Sequence, residues 1–180
     1  MECEYCEIVQ HKSKAEILYE DQDIIIAVKD TAAIAGQITI IPKNHFTILE
    51  MVPDAILKKC AALSNTVSTT IFETMGCQGT NIIIQNGLGA GQKVPHFALE
   101  VLPRREGDGL NLQWEPKQVS EDEMSTAYLM LKEEGDKIVN IGKDIRSAPA
   151  AFKPQEEKKV IKAESSGKDN YLLKSLRKMP

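Results

Sequence analysis

Histidine is scarce in this chain: His11, His45 and His96 are the only three among 180 residues. Any imidazole chemistry therefore has three candidates. No apolar run approaches the ~18 residues that a membrane-spanning helix needs, so no membrane span is expected. The opening Met1-Glu2-Cys3-Glu4 is acidic and lacks a basic-then-apolar leader, so no secretory signal is expected either. Four cysteines in such a context point to a cytoplasmic, reducing setting, where they serve as thiols or metal ligands, not as a disulfide frame. A net charge of −4 argues against a dedicated nucleic-acid binder.

Apolar residues make up 42% of the chain, enough for a core in one domain with an appendage. The charge is unevenly spread. Residues 1–152 carry 14 basic and 22 acidic side chains, a net of −8, while residues 153–180 carry 8 and 4, a net of +4. The change of sign separates a body from a tail.

Ala15–Glu20 and Asp23–Lys29 read as a hairpin joined by an Asp-Gln turn. Gly36–Ile41 reads as a third strand, closed by Pro42, which has no amide for a central ladder. The spacing of Ile56, Cys60, Leu63, Val67 and Ile71 predicts a helix over 53–75, with Pro53 at its first position and Gly76 at its end. Thr80–Gln85 and Val94–Leu102 read as two more strands. The order β-β-β-α-β-β predicts an α+β fold, an antiparallel five-stranded sheet with one long helix packed on it. We expect this domain to span 1–115.

A helical extension is expected over 116–145, because Ser120 with Glu123 forms a capping-box pattern and Met124, Ala127, Tyr128, Leu131 and Ile138 form a stripe. Trp114, just before it, is expected to pack. The stretch 146–180 reads as a partly extended basic tether ending in the amphipathic Tyr171-Leu172-Leu173-Lys174-Ser175-Leu176-Arg177-Lys178. That end either docks on the acidic body or meets a protein or RNA partner.

Two places gather chemically unusual residues. Cys3-Glu4-Tyr5-Cys6 is a C-x-x-C, which serves either as buried thiols or as metal ligands. The segment Gln85-Asn86-Gly87-Leu88-Gly89-Ala90-Gly91-Gln92-Lys93 is a glycine-rich connection. Its glycines either bring backbone amides close to an anion or serve only the turn. In the strand that follows, alternation puts His96, Ala98 and Glu100 on one face and Phe97, Leu99 and Val101 on the other.

The C-x-x-C opening, Ile41-Pro42-Lys43-Asn44-His45 and Gly91-Gln92-Lys93-Val94-Pro95-His96, followed by Pro103-Arg104, resemble the histidine triad family of nucleotide-binding proteins. The resemblance covers about Glu2 to Asp108. It implies an antiparallel sheet with a long helix, assembled as a homodimer. It also implies three alternating histidines on the last strand, of which the central one attacks the α-phosphorus of a nucleotide. Here those places read His96, Ala98 and Glu100. A methyl group cannot become a nucleotidylated intermediate, and an anionic Glu100 facing phosphates is a poor substitute.

The resemblance further implies a structural zinc on Cys3, Cys6, His45 and His96, a donor set suited to tetrahedral Zn²⁺. It places phosphate and ribose contacts at Gln85, Asn86, Gly87, Gly91 and Gln92. Lys93 either adds a phosphate-facing charge or is a solvated loop lysine. Lys29 falls where the family has an acid or amide for the ribose, with Asp30 beside it. The expected function is a zinc-stabilised protein that binds a purine nucleotide or a partner and has lost its catalytic histidine. The alternatives are a hydrolase of dinucleoside polyphosphates or nucleoside phosphoramidates, and an adaptor acting through its basic tail.

Overall fold

The computed structural model describes residues 3–135. The expected tether and terminal segment at 146–180 lie outside the described residues. The described residues fall in two units that divide between Leu112 and Gln113.

The first unit opens with α1 (Glu4–Val9), which the sequence reading did not anticipate. Six residues hold too little periodicity to be read as a helix; Tyr5 and Ile8, three apart, bury the inner face. Next come β1 (Glu16–Glu20), β2 (Ile24–Val28) and β3 (Ile38–Pro42). The turn between β1 and β2 is held by Asp21, whose Oδ1 accepts from the Asp23 amide at 2.8 Å and the Ile24 amide at 3.0 Å. A single helical turn at Leu49–Met51 leads into α2 (Asp54–Met75). Pro53 sits one place earlier than expected, as the cap residue, and its carbonyl accepts from the Ile56 and Leu57 amides. Gly76 ends the helix in the left-handed conformation at φ 60°, where a side chain would be strained.

After β4 (Gly79–Ile83) and a turn at Leu88–Ala90, β5 (Leu99–Arg104) completes an antiparallel sheet of order β1-β2-β3-β5-β4. The α+β architecture with five antiparallel strands is therefore as expected. The strand limits differ. Pro42 lies inside β3 opposite Ile24, and Pro103 inside β5 opposite Thr80. β5 also starts five residues later than the reading placed it, because residues 94–98 bend, with the His96 amide turned back onto the Val94 carbonyl.

Both faces of the central strands β2 and β3 are covered. Ile24, Ile26, Ile38, Ile40, Leu99 and Val101 pack with Cys60 and Ile71 of α2. Ile25, Ala27 and Ile41 pack beneath Tyr5 and Ile8 of α1. This explains why β2 reads as an unbroken apolar run and not as an alternating one. Full burial of an isoleucine such as Ile40 contributes roughly 1.5–3 kcal/mol.

In the second unit, α3 (Glu121–Glu133) begins with the expected capping box: Ser120 Oγ accepts from the Glu123 amide and Glu123 accepts from the Ser120 amide. Trp114 is exposed, against the packing expected, because residues 111–120 form no strand or helix to hold it.

Candidate metal centre and ligand pocket

Cys3 caps α1 and Cys6 follows within its first turn, so both thiols face the same side of the helix. His45 lies three residues beyond β3, and His96 lies three before β5. The fold brings all four together, their ligand atoms lying within 4.8 Å of one another. Cys6 Sγ is 3.1 Å from His45 Nδ1, and both Cys3 Sγ and Cys6 Sγ are 3.6 Å from His96 Nδ1. In a tetrahedral zinc site with Zn–S near 2.3 Å and Zn–N near 2.0 Å, sulfur and nitrogen ligands stand about 3.5 Å apart. The donor set and its spacing fit such an ion.

The surroundings prepare the ligands. His96 is 1% exposed, and its Nε2 donates to the Pro42 carbonyl at 2.9 Å, which directs the Nδ1 lone pair toward the cysteines. Burial, reinforced by the neighbouring His45, lowers the basicity of His96 against the opposing pull of that carbonyl, so the metal-binding neutral ring is favoured. Burial and the adjacent Cys3 push the Cys6 thiol up, a cost that a divalent cation would offset. His11 takes no part. It ends α1 at φ 56° and pairs with Glu20 at 3.2 Å.

Beside this cluster is a cavity of about 390 Å³, walled by residues that include His96, Ala98 and Glu100. The Ala98 methyl group lines it at the place between them. Glu100 is held by three side chains. Its Oε1 accepts from the Tyr5 hydroxyl at 3.1 Å, and its Oε2 accepts from Gln37 Nε2 and Thr39 Oγ1, each at 2.8 Å. Thr39 stands directly opposite Glu100 in the β3–β5 ladder. Lys29 Nζ donates to the Tyr5 hydroxyl at 3.2 Å and lies 3.9 Å from Glu100 Oε1. Burial, with the charge of Glu100 behind it, pushes the Tyr5 phenol well above its ordinary range, so it stays a donor.

Tyr5, Gln37 and Thr39 were not foreseen as site residues. One signal was available: Gln37 and Thr39 are the polar residues of the segment read as the third strand, in which the alternate residues Ile38 and Ile40 enter the core.

The glycine-rich connection divides into wall and frame. Gln85, Gln92 and Lys93 line the cavity. Gln92 also braces the loop: its Oε1 accepts from the Gly87 amide at 2.8 Å, and its Nε2 donates to the Thr47 and Val94 carbonyls at 2.7 and 2.9 Å. Asn86 lies outside the cavity lining and is committed to the Leu49 amide and the Glu50 carboxylate. Gly87 and Gly91 take φ values of 85° and 84°, which only glycine adopts freely. A Cβ at Gly91 would also come within 3.0 Å of Gln85 Nε2. Asp30 is exposed, accepts from the Thr31 hydroxyl at 3.4 Å, and is likewise not part of the cavity wall.

Residues 10–107 match the HIT domain. The adenylylsulfatase HINT3 of Arabidopsis thaliana is 32% identical over 110 residues, which is 61% of this chain and 55% of that protein. The chain thus spans little more than half of that relative. An uncharacterised HIT-like protein of Methanocaldococcus jannaschii is 31% identical over 124 residues, covering 68% of this chain and 95% of its own length. Among solved structures, a zinc-bound histidine triad family protein from Mycobacterium smegmatis superposes with a TM-score of 0.58 at 31% identity, over 65% of this chain and 85% of that one. With the fold, the clustered Cys3, Cys6, His45 and His96 and the match over 10–107 in agreement, this chain belongs to the HIT family.

Proposed function

We propose that this chain is a zinc-stabilised nucleotide-binding HIT protein that does not carry out the family's nucleotidyl transfer. The observation that carries the reading is the Ala98 methyl group in the cavity wall between His96 and Glu100. At the place where the resemblance puts the attacking imidazole there is no nucleophilic atom. The zinc would be held by Cys3, Cys6, His45 and His96 and would act structurally, since four protein ligands fill a tetrahedral shell. The zinc-bound histidine triad relative supports that identity for the ion.

Nucleotide phosphates would meet Gln85, Gln92, Lys93 and the turn at Gly87 and Gly91, with Asp30 near the ribose and Asn86 holding the loop. A cavity of about 390 Å³ falls in the size range of roughly 300–1,000 Å³ typical of small-ligand sites. β4 is an edge strand, open to pairing with a second copy, which supports a homodimer. No described helix is long and apolar enough to cross a membrane. A reducing, cytoplasmic setting would keep Cys3 and Cys6 available as ligands.

The enzymic alternative is favoured by the relative named as an adenylylsulfatase and would use Glu100 or a bound water. Against it, both Glu100 oxygens are already engaged by Tyr5, Gln37 and Thr39, which fixes the carboxylate as part of the frame. An adaptor role would rest on the basic tail at 153–180, outside the described residues. Titration calorimetry of the zinc-loaded protein with AMP and GMP tests the proposal. Saturable binding supports it, and no heat at millimolar ligand favours the adaptor.

A further inference from the structure

A carboxylate at the third triad place sets a problem for any phosphate ligand. Glu100 has its side chain only 13% exposed, and an anion brought beside it is repelled with little solvent screening. Tyr5, Gln37 and Thr39 orient the carboxylate but are neutral, so they leave its charge in place. The cation that meets it is Lys29, in the same cavity wall, with its side chain 12% exposed. Lys29 Nζ lies 3.9 Å from Glu100 Oε1 and 3.7 Å from the more exposed Glu4 Oε1, and it sits 4.8 Å from the centre of the Tyr5 ring.

The distances matter. Both carboxylates stand beyond hydrogen-bond length from the ammonium. Its one hydrogen bond among the described residues is to the Tyr5 hydroxyl. An ammonium has three N–H donors, so this one neutralises Glu100 at short range while keeping donors for an incoming ligand. Lys93, also in the cavity wall, is exposed and joined to no acid among the described residues, so it adds positive charge from the loop side.

We propose that Lys29 is the specificity-determining residue of this pocket: it offsets the charge of Glu100 and anchors a phosphomonoester, so the site selects a nucleoside monophosphate over the nucleoside. The inference rests on the nucleotide-binding reading above. It also accounts for a lysine at the place where the family resemblance calls for an acid or amide. Once Glu100 occupies the third triad place, a second acid at position 29 would leave the cavity anionic.

The test is titration calorimetry of the zinc-loaded full chain with AMP and with adenosine, for wild type, Lys29→Met, Lys29→Arg, Glu100→Gln and the Lys29→Met/Glu100→Gln double variant. Wild type should prefer AMP to adenosine by at least about tenfold. Lys29→Met should weaken AMP by about tenfold or more and leave adenosine within about twofold, whereas Lys29→Arg keeps most of the preference. Glu100→Gln should tighten AMP, and the double variant should bind AMP better than Lys29→Met alone, since a repulsion has been removed. A Lys29→Met variant that binds AMP as wild type does, or loses AMP and adenosine equally, overturns the inference while the nucleotide reading stands. Wild type binding no AMP overturns both.

Discussion

The Tyr5 hydroxyl donates to Glu100 Oε1 at 3.1 Å across 95 positions of sequence. That bond ties the helix carrying Cys6 to the strand carrying the third triad place, so the candidate metal centre and the pocket share a wall. Removing the hydroxyl leaves a partly buried carboxylate with one donor fewer. Tyr5→Phe is expected to destabilise the fold by roughly 1–3 kcal/mol, measurable by denaturant unfolding. An unchanged midpoint would show that the bond holds nothing.

The metal is expected to carry a large share of the stability of α1. Six residues cannot hold a helix alone, and α1 has no side-chain cap at its start. Chelation, or Cys3→Ser, should therefore lower the thermal midpoint and increase amide exchange over Glu4–Val9 before it increases in α2. Elemental analysis should find about one zinc per chain in wild type and substantially less in the variant. Equal exchange in both helices would contradict this.

Acid sensitivity has a local source in Asp108. Its carboxylate takes Arg104 Nε at 2.6 Å and the Leu110 amide at 2.9 Å, which holds it well below the usual carboxylate range. A carboxylate depressed in the folded state contributes stability that is present above its unfolded value near 3.9 and is lost as pH falls below it. Asp108→Asn should therefore cost stability at pH 7 but reduce the further loss between pH 5 and pH 3. Parallel pH profiles for the two proteins would exclude this source.

Core packing supplies a separate check on the sheet. Ile40 is fully buried between β2 and β5, and Ile40→Ala is expected to cost about 2–5 kcal/mol with AMP affinity little changed. A small loss would mean that the α2 face of the sheet is less tightly packed than described.

Much of this was legible in the sequence because it rests on local pattern. The α2 stripe from Ile56 to Ile71 has helical spacing, and Asp21 and Gly76 mark a turn and a helix end by their own conformational preferences. The four candidate metal ligands are named through the family resemblance; spacing alone does not single them out, since their separation in sequence is long and irregular. What escaped was non-local. α1 is helical because Tyr5 and Ile8 have a sheet to pack on, and β5 starts late because residues 94–98 bend to bring His96 to Pro42 and the cysteines. The surroundings of Glu100 come from Tyr5, Lys29, Gln37 and Thr39, all distant from it in sequence, so no local pattern marks its carboxylate as part of the frame.

The most direct measurement is phosphorus NMR of adenosine 5′-phosphoramidate mixed with the zinc-loaded chain. A nucleotide-binding protein with Ala98 at the nucleophile place should broaden or shift the resonance and leave the compound intact over hours. Conversion to AMP faster than in buffer would contradict the loss of catalysis, and an unperturbed resonance at millimolar ligand would contradict the binding.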